Sequence, residues 1–123
     1  MLRSIILVGI GGGVGSIFRC LTHVLVNKYF QSIFPLSTFI VNMSGSLLIG
    51  VLLGLFERYQ LSNSDLRHFF IVGFCGGFTT FSAFASENFN LFQSGSSWTA
   101  FLYIAGSIVL SLLFVWIGIS VTK

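Results

Sequence analysis

Four long apolar stretches separated by short polar ones set the layout of this chain. They cover residues 4–26, 36–56, 68–92 and 98–122, and each reaches the ~20 residues a helix needs to cross about 30 Å of hydrocarbon. The second and fourth stretches carry no charge, the first contains Arg19 and His23, and the third contains Glu87 as its only acid. The connections NKYFQSIF, ERYQLSNSDLR and QSGSS are short. Pro35 stands where a helix begins, and Ser64 or Asp65 is placed to cap the third helix. The pattern predicts one all-α integral membrane domain over 1–123, with four transmembrane helices. An even number of spans puts both termini on one side.

Composition sharpens this. Hydrophobic residues make up 54% of the chain and charged residues only 7%, against about 25% charged in a soluble domain, so the charges cannot cover a water-facing surface. The net charge of +3 contains no basic run, which argues against nucleic acid as a partner. Cys20 and Cys75 fit no CxxC or metal-ligand spacing and read as buried, inert thiols. The apolar run after Arg3 continues through Val26 with no cleavage-like site before Arg19, so it reads as a retained helix rather than a leader.

Basic residues fall unevenly between the two ends of such a bundle. Arg3, Arg58, Arg67 and Lys123 lie with the termini, and Lys28, with Arg19 counted or not, lies opposite. That bias favours cytoplasmic termini by a small margin. Small residues recur every four positions, as Gly11 and Gly15, Gly12 and Ser16, and Ser46, Gly50 and Gly54. This spacing lets helix backbones approach closely, either within one subunit or across a dimer seam.

Candidate chemistry is sparse. The stretch IILVGIGGGVGS imitates a dinucleotide turn, but Ser16 stands where the third glycine belongs and no acid follows before Glu57. The only histidines are His23 and His68, which read as interfacial, and the scattered acids support no catalytic constellation; the chain is not expected to be an enzyme. Arg19 lies about 22 Å along the helix from Ser4. It either snorkels to the interface or faces a watery cavity. Glu87 either lines a polar vestibule or is a capped or protonated carboxyl near the interface.

The unusual stretch is GFCGGFTTFSAF at 73–84. Gly73, Gly76 and Gly77 favour a break in the third helix, between Gly73 and Thr79, which a membrane tolerates only where the freed backbone groups line a cavity or find partners. Freed carbonyls there could coordinate a cation. Beyond the break, Phe81, Phe84 and Glu87 share one stripe at i, i+3 and i+6. Two phenylalanines presented edge-on offer a positive rim to a small anion, with Asn42, Thr80, Ser82 and Ser111 as further donors; the competing reading makes them ordinary core or lipid-facing rings.

Three stretches together, GGGVGSIFR at 11–19, TFIVNMSGSLLIG at 38–50 and GFCGGFTTFSAF at 73–84, resemble the Fluc (CrcB-type) fluoride channel family, and the resemblance spans essentially the whole chain. It implies an antiparallel, dual-topology dimer of two identical subunits in the cell's inner or plasma membrane, with fluoride pores between them. By motif, Asn42 becomes the pore amide and Phe81 and Phe84 the pore aromatics; Ser111 matches by its position in the fourth span. Gly76 and Thr79 fall where the family's helix break offers backbone carbonyls to a structural sodium ion. Arg19 matches the first-span arginine, and Glu87 the vestibule acid. Ala83 departs from the family, which commonly has a hydroxyl between the two phenylalanines. The implied mechanism is passive export of fluoride from the cytoplasm, lowering its toxicity. The alternative is a small multidrug-resistance-type proton-coupled exporter, which would need a carboxylate in the first span, where this chain has Arg19.

Overall fold

Each apolar stretch becomes a helix, because a backbone crossing hydrocarbon must satisfy its own amides and carbonyls. The computed structural model describes residues 1–31 and 34–122. Helix α1 runs Leu2–Tyr29 and α2 runs Leu36–Arg58. The third span, Ser64–Gln93, is composite: a short α3 (Ser64–Leu66), a π-helix (Arg67–Cys75), α4 (Gly76–Phe78) and α5 (Ser82–Gln93). Helix α6 covers Ser97–Thr122. The chain is a multi-pass membrane protein, with all four spans long and apolar enough to cross a bilayer. At 28 residues α1 is about 42 Å long, more than the hydrocarbon layer requires.

The helices pack as two close pairs, α1 along the third span and α2 along α6. Small residues make both seams. A methyl group added to Gly77 would stand 2.9 Å from Gly12 Cα, and one added to Gly15 would stand 2.8 Å from the Phe78 amide nitrogen. In the other pair, a methyl on Gly118 would meet the Val51 nitrogen at 2.6 Å. The recurring small residues thus serve packing within one subunit, with Gly11 and Gly15 against the third span and Gly50 and Gly54 against α6.

Both termini lie at one end of the bundle. Arg3 Nη2 pairs with Asp65 Oδ2 at 2.8 Å, and Thr122 Oγ1 donates to the carbonyls of Gly118 and, across the seam, Val51. Lys123, counted with that end in the charge balance, lies outside the described residues, as do Ser32 and Ile33 of the first connection. The N-cap of the third span is Asn63, whose Oδ1 accepts from the Asp65 N–H at 2.9 Å. The expectation of Ser64 or Asp65 was one or two residues late, because both are already in the first turn, where a cap cannot be. Cys75 is buried as expected, but Cys20 is exposed; it lies off the single face by which α1 packs.

The third span is interrupted, and its axis bends by 18°. The interruption falls at residues 79–81 rather than within the glycine cluster. Thr79 takes extended backbone angles (φ −85°, ψ 162°) after α4, and the helix resumes at Ser82. Gly73, Gly76 and Gly77 all lie in helical backbone. Gly73 and Gly77 are small because α1 lies against them, not because the chain unwinds there. Overpacking a close seam costs about 1–3 kcal/mol. Gly15→Ala should therefore lower the thermal unfolding midpoint of purified protein by several degrees, while Gly9→Ala, which has open space around it, should leave it near wild type.

Candidate ion pathway at the helix break

The unwound residues 79–81 sit opposite Asn42, at the end of the second turn of α2. Asn42 Nδ2 donates to the Thr80 carbonyl at 3.2 Å, and the Thr80 N–H donates to Asn42 Oδ1 at 3.0 Å. One side chain thus satisfies both backbone groups of the central unwound residue, as a peptide partner would in a strand. An amide NH2 has two hydrogens, so the second Nδ2 hydrogen stays available for another acceptor.

Two diverted bonds define the rest of the break. A continuous helix would send the Thr80 N–H to the Gly76 carbonyl and the Ala83 N–H to the Thr79 carbonyl. The first goes to Asn42, and the second goes to Thr80 Oγ1 at 3.3 Å. The Gly76 and Thr79 carbonyls therefore lose their helical donors inside the membrane. Arg19 reaches the second of them, with Nη1 3.5 Å from the Thr79 oxygen. Its guanidinium is neither at the far interface nor in an ion pair with any described carboxylate; it lies at the level of the break. Among the described residues, no group of three His, Cys, Asp or Glu could hold a metal ion, so any cation here would be held by carbonyl oxygens.

A cavity of about 410 Å³ opens beside the break, and its walls include Asn42, Thr80, Phe81, Phe84, Ser107 and Ser111. Five of these were expected from the sequence. Ser82 does not line it; its Oγ lies 3.4 Å from Thr80 Oγ1, at the break's outer side. Phe81 and Phe84 stand with centroids 5.8 Å apart and planes at 43°. Phe81 is 78% exposed on the subunit, whereas Phe84 packs on Tyr103 at 4.9 Å. Ser107 was missed. It lies one helical turn before Ser111 on α6, it is only 6% exposed, and its Oγ has no hydrogen-bond partner among the described residues. A buried, unpartnered hydroxyl is costly unless something occupies the adjoining space.

Glu87 belongs to a second, smaller cavity of about 320 Å³ with Pro35, Asn90, Leu91 and Ser94. Its carboxylate is held on both oxygens. Thr38 Oγ1 donates to Oε2 at 2.7 Å and the Tyr103 hydroxyl donates to Oε1 at 3.2 Å. Both donors are buried, and neither was singled out from the sequence, although Tyr103, Ser107 and Ser111 share one face of α6 at four-residue spacing. His68 Nδ1 bonds the Ser64 carbonyl at 2.7 Å one turn back in its own span, whereas His23 Nδ1 on α1 meets Ser37 Oγ at the start of α2.

The site therefore joins a broken helix, converging amide and hydroxyl donors, and two tilted aromatic rings. Comparison with known proteins gives the family of the chain. Residues 6–119 match the family described as CrcB-like protein, Camphor Resistance (CrcB). A protein of Flavobacterium psychrophilum named fluoride-specific ion channel FluC is 44% identical over 122 residues, 99% of this chain and 98% of that one. A protein of the same name from Azobacteroides pseudotrichonymphae is 46% identical over 123 residues, 100% of this chain and 98% of its own. Another from Bacteroides fragilis is 45% identical over 120 residues, 95% and 94% of the two chains. With a family match over most of its length and relatives of this closeness along nearly the whole of it, the chain belongs to the CrcB family.

Proposed function

We propose that this protein is a fluoride channel that lets the ion leave the cytoplasm passively. The observation that carries the reading is the cavity, where Asn42, Thr80, Ser107 and Ser111 converge with Phe81 and Phe84. Fluoride accepts hydrogen bonds and donates none, so a path for it must replace its water with donors. Hydroxyls and the free amide hydrogen of Asn42 supply them, and a ring edge adds positive charge without the tight hold of a lysine. The full-length relatives bearing the name of fluoride channel support the same conclusion. The exporter alternative needs a first-span carboxylate, and α1 contains no acid. A pore needs no chemical step, so no enzymatic activity is expected.

Two antiparallel copies, inserted with opposite orientations in the inner or plasma membrane, complete the pathway in this reading. Phe81 is exposed enough on one subunit to be covered by the other. Glu87 then lines the vestibule, with Arg19 deeper at the break. A structural sodium ion fits the donor chemistry of Gly76 and Thr79, since the helical donors of both carbonyls are diverted and a hard cation suits carbonyl oxygens. Bound there, sodium would satisfy main-chain dipoles and lie outside the fluoride path, so Thr79→Ala should retain it.

The direct test is fluoride release from liposomes containing only this protein, read with a fluoride electrode while a potassium ionophore removes the voltage. Rapid release of fluoride, with chloride retained, is expected; release at the rate of protein-free liposomes would overturn the reading. Phe81→Ile and Phe84→Ile each keep bulk and lose the ring edge. An aromatic contact is worth about 0.5–1.5 kcal/mol, so each should slow release about tenfold while leaving dimer assembly nearly intact on size-exclusion chromatography. Asn42→Asp exchanges the donor for an acceptor. A fixed negative charge about 4 Å from passing fluoride costs about 4 kcal/mol at an effective dielectric constant of ~20, roughly a thousandfold in rate. Unchanged release in that variant would mean that Asn42 faces away from the path or that its replacement stays protonated.

A further inference from the structure

The stripe of small residues by which α1 meets the third span ends in a charge. Gly11, Gly15 and Arg19 follow at i, i+4 and i+8 on one helix face. The two glycines touch the backbone of Phe69, Phe74 and Phe78, so the same face, one turn on, presents Arg19 to Thr79. The guanidinium cannot shed its proton. It is half-buried within a membrane span, α1 contains no acid, and its hydrogen bond to the Thr79 carbonyl is the one it makes among the described residues. That carbonyl has lost its helical donor to Thr80 Oγ1. A cation-seeking oxygen is thus already served by a cation belonging to the chain.

We propose that Arg19 and the sodium ion are competing cations at the Thr79 carbonyl, so that Arg19 sets how tightly the break holds sodium. This rests on the reading that Gly76 and Thr79 form a sodium site. With the site empty, Arg19 donates to the oxygen and keeps the broken helix from exposing it. When sodium binds, two positive charges share one dipole in a medium that screens them weakly, and the guanidinium swings away. The coupling is reciprocal: whatever weakens Arg19's hold on the carbonyl tightens sodium by the same factor.

The test uses the purified protein in detergent. Thermal unfolding is followed by tryptophan fluorescence while sodium chloride replaces N-methylglucamine chloride at constant ionic strength. An ion that binds only the folded state raises the unfolding midpoint as its concentration passes the dissociation constant. Arg19→Gln should respond to sodium at a concentration about tenfold or more below wild type, the loss of one unit charge within a few ångströms. Arg19→Lys, which keeps the charge, should stay nearer wild type. A sodium response in Arg19→Gln at the wild-type concentration, or a higher one, overturns the proposal while leaving the sodium site standing. No response in wild type or in any variant overturns both. Should Arg19→Gln not fold, the wild-type protein decides by nitrogen NMR of the arginine side chain. The Arg19 Nη signal should shift on addition of sodium and not of N-methylglucamine, and an unmoved signal overturns the proposal.

Discussion

The reciprocal pair between Asn42 and Thr80 is the interaction on which the rest of the third span depends. Each backbone group left unsatisfied in hydrocarbon costs several kcal/mol, and at the centre of the break neither backbone group of Thr80 has a helical partner. Asn42 answers both groups of Thr80 from a neighbouring helix. The Thr80 hydroxyl then answers the Ala83 N–H and restarts the helix. Without Asn42 both backbone groups of Thr80 would be left without a protein partner, and the aromatic pair beyond the break would lose the contact that fixes its place beside the cavity.

This pair also joins the two halves of the subunit. The close seams run within α1 and the third span, and within α2 and α6. Asn42 on α2 crosses from one pair to the other at the break, and Glu87 crosses again about two turns on, held by Thr38 of α2 and Tyr103 of α6. Tyr103 also packs against Phe84, Phe34 and Phe39. The cavity lies where the pairs part, with the Asn42–Thr80 crossing in its wall and Glu87 beyond Phe84 in the neighbouring cavity. Glycine seams supply rigidity, and polar crossings supply position.

Much of this was legible in the sequence because hydrophobic run length and residue type report it directly. Four spans and an interrupted third helix needed no coordinates, and the gathering of Asn42, Phe81, Phe84 and Ser111 came from the family resemblance, since spacing alone left the rings open to a reading as core aromatics. The place of the break did not follow, because glycine has two uses and the pattern does not separate them: at 73 and 77 it admits a neighbouring helix, while the unwinding falls on two threonines and a phenylalanine. The π-helix from Arg67 to Cys75 leaves no mark in a pattern read at 3.6 residues per turn. The position of Arg19 depended on which face of α1 met the third span, a tertiary fact that converts its distance along the helix into a partner. Thr38, Tyr103 and Ser107 were overlooked because a single hydroxyl in an apolar helix carries no signal until its neighbours are known.

The central claim, that one asparagine holds the break open, can be measured at the amides it involves. Hydrogen exchange followed by NMR on the reconstituted protein should find the Thr80 N–H protected in wild type, and made fast-exchanging by Asn42→Ala while the amides of α1 remain slow. A Thr80 amide that exchanges at the same rate in both proteins would contradict it.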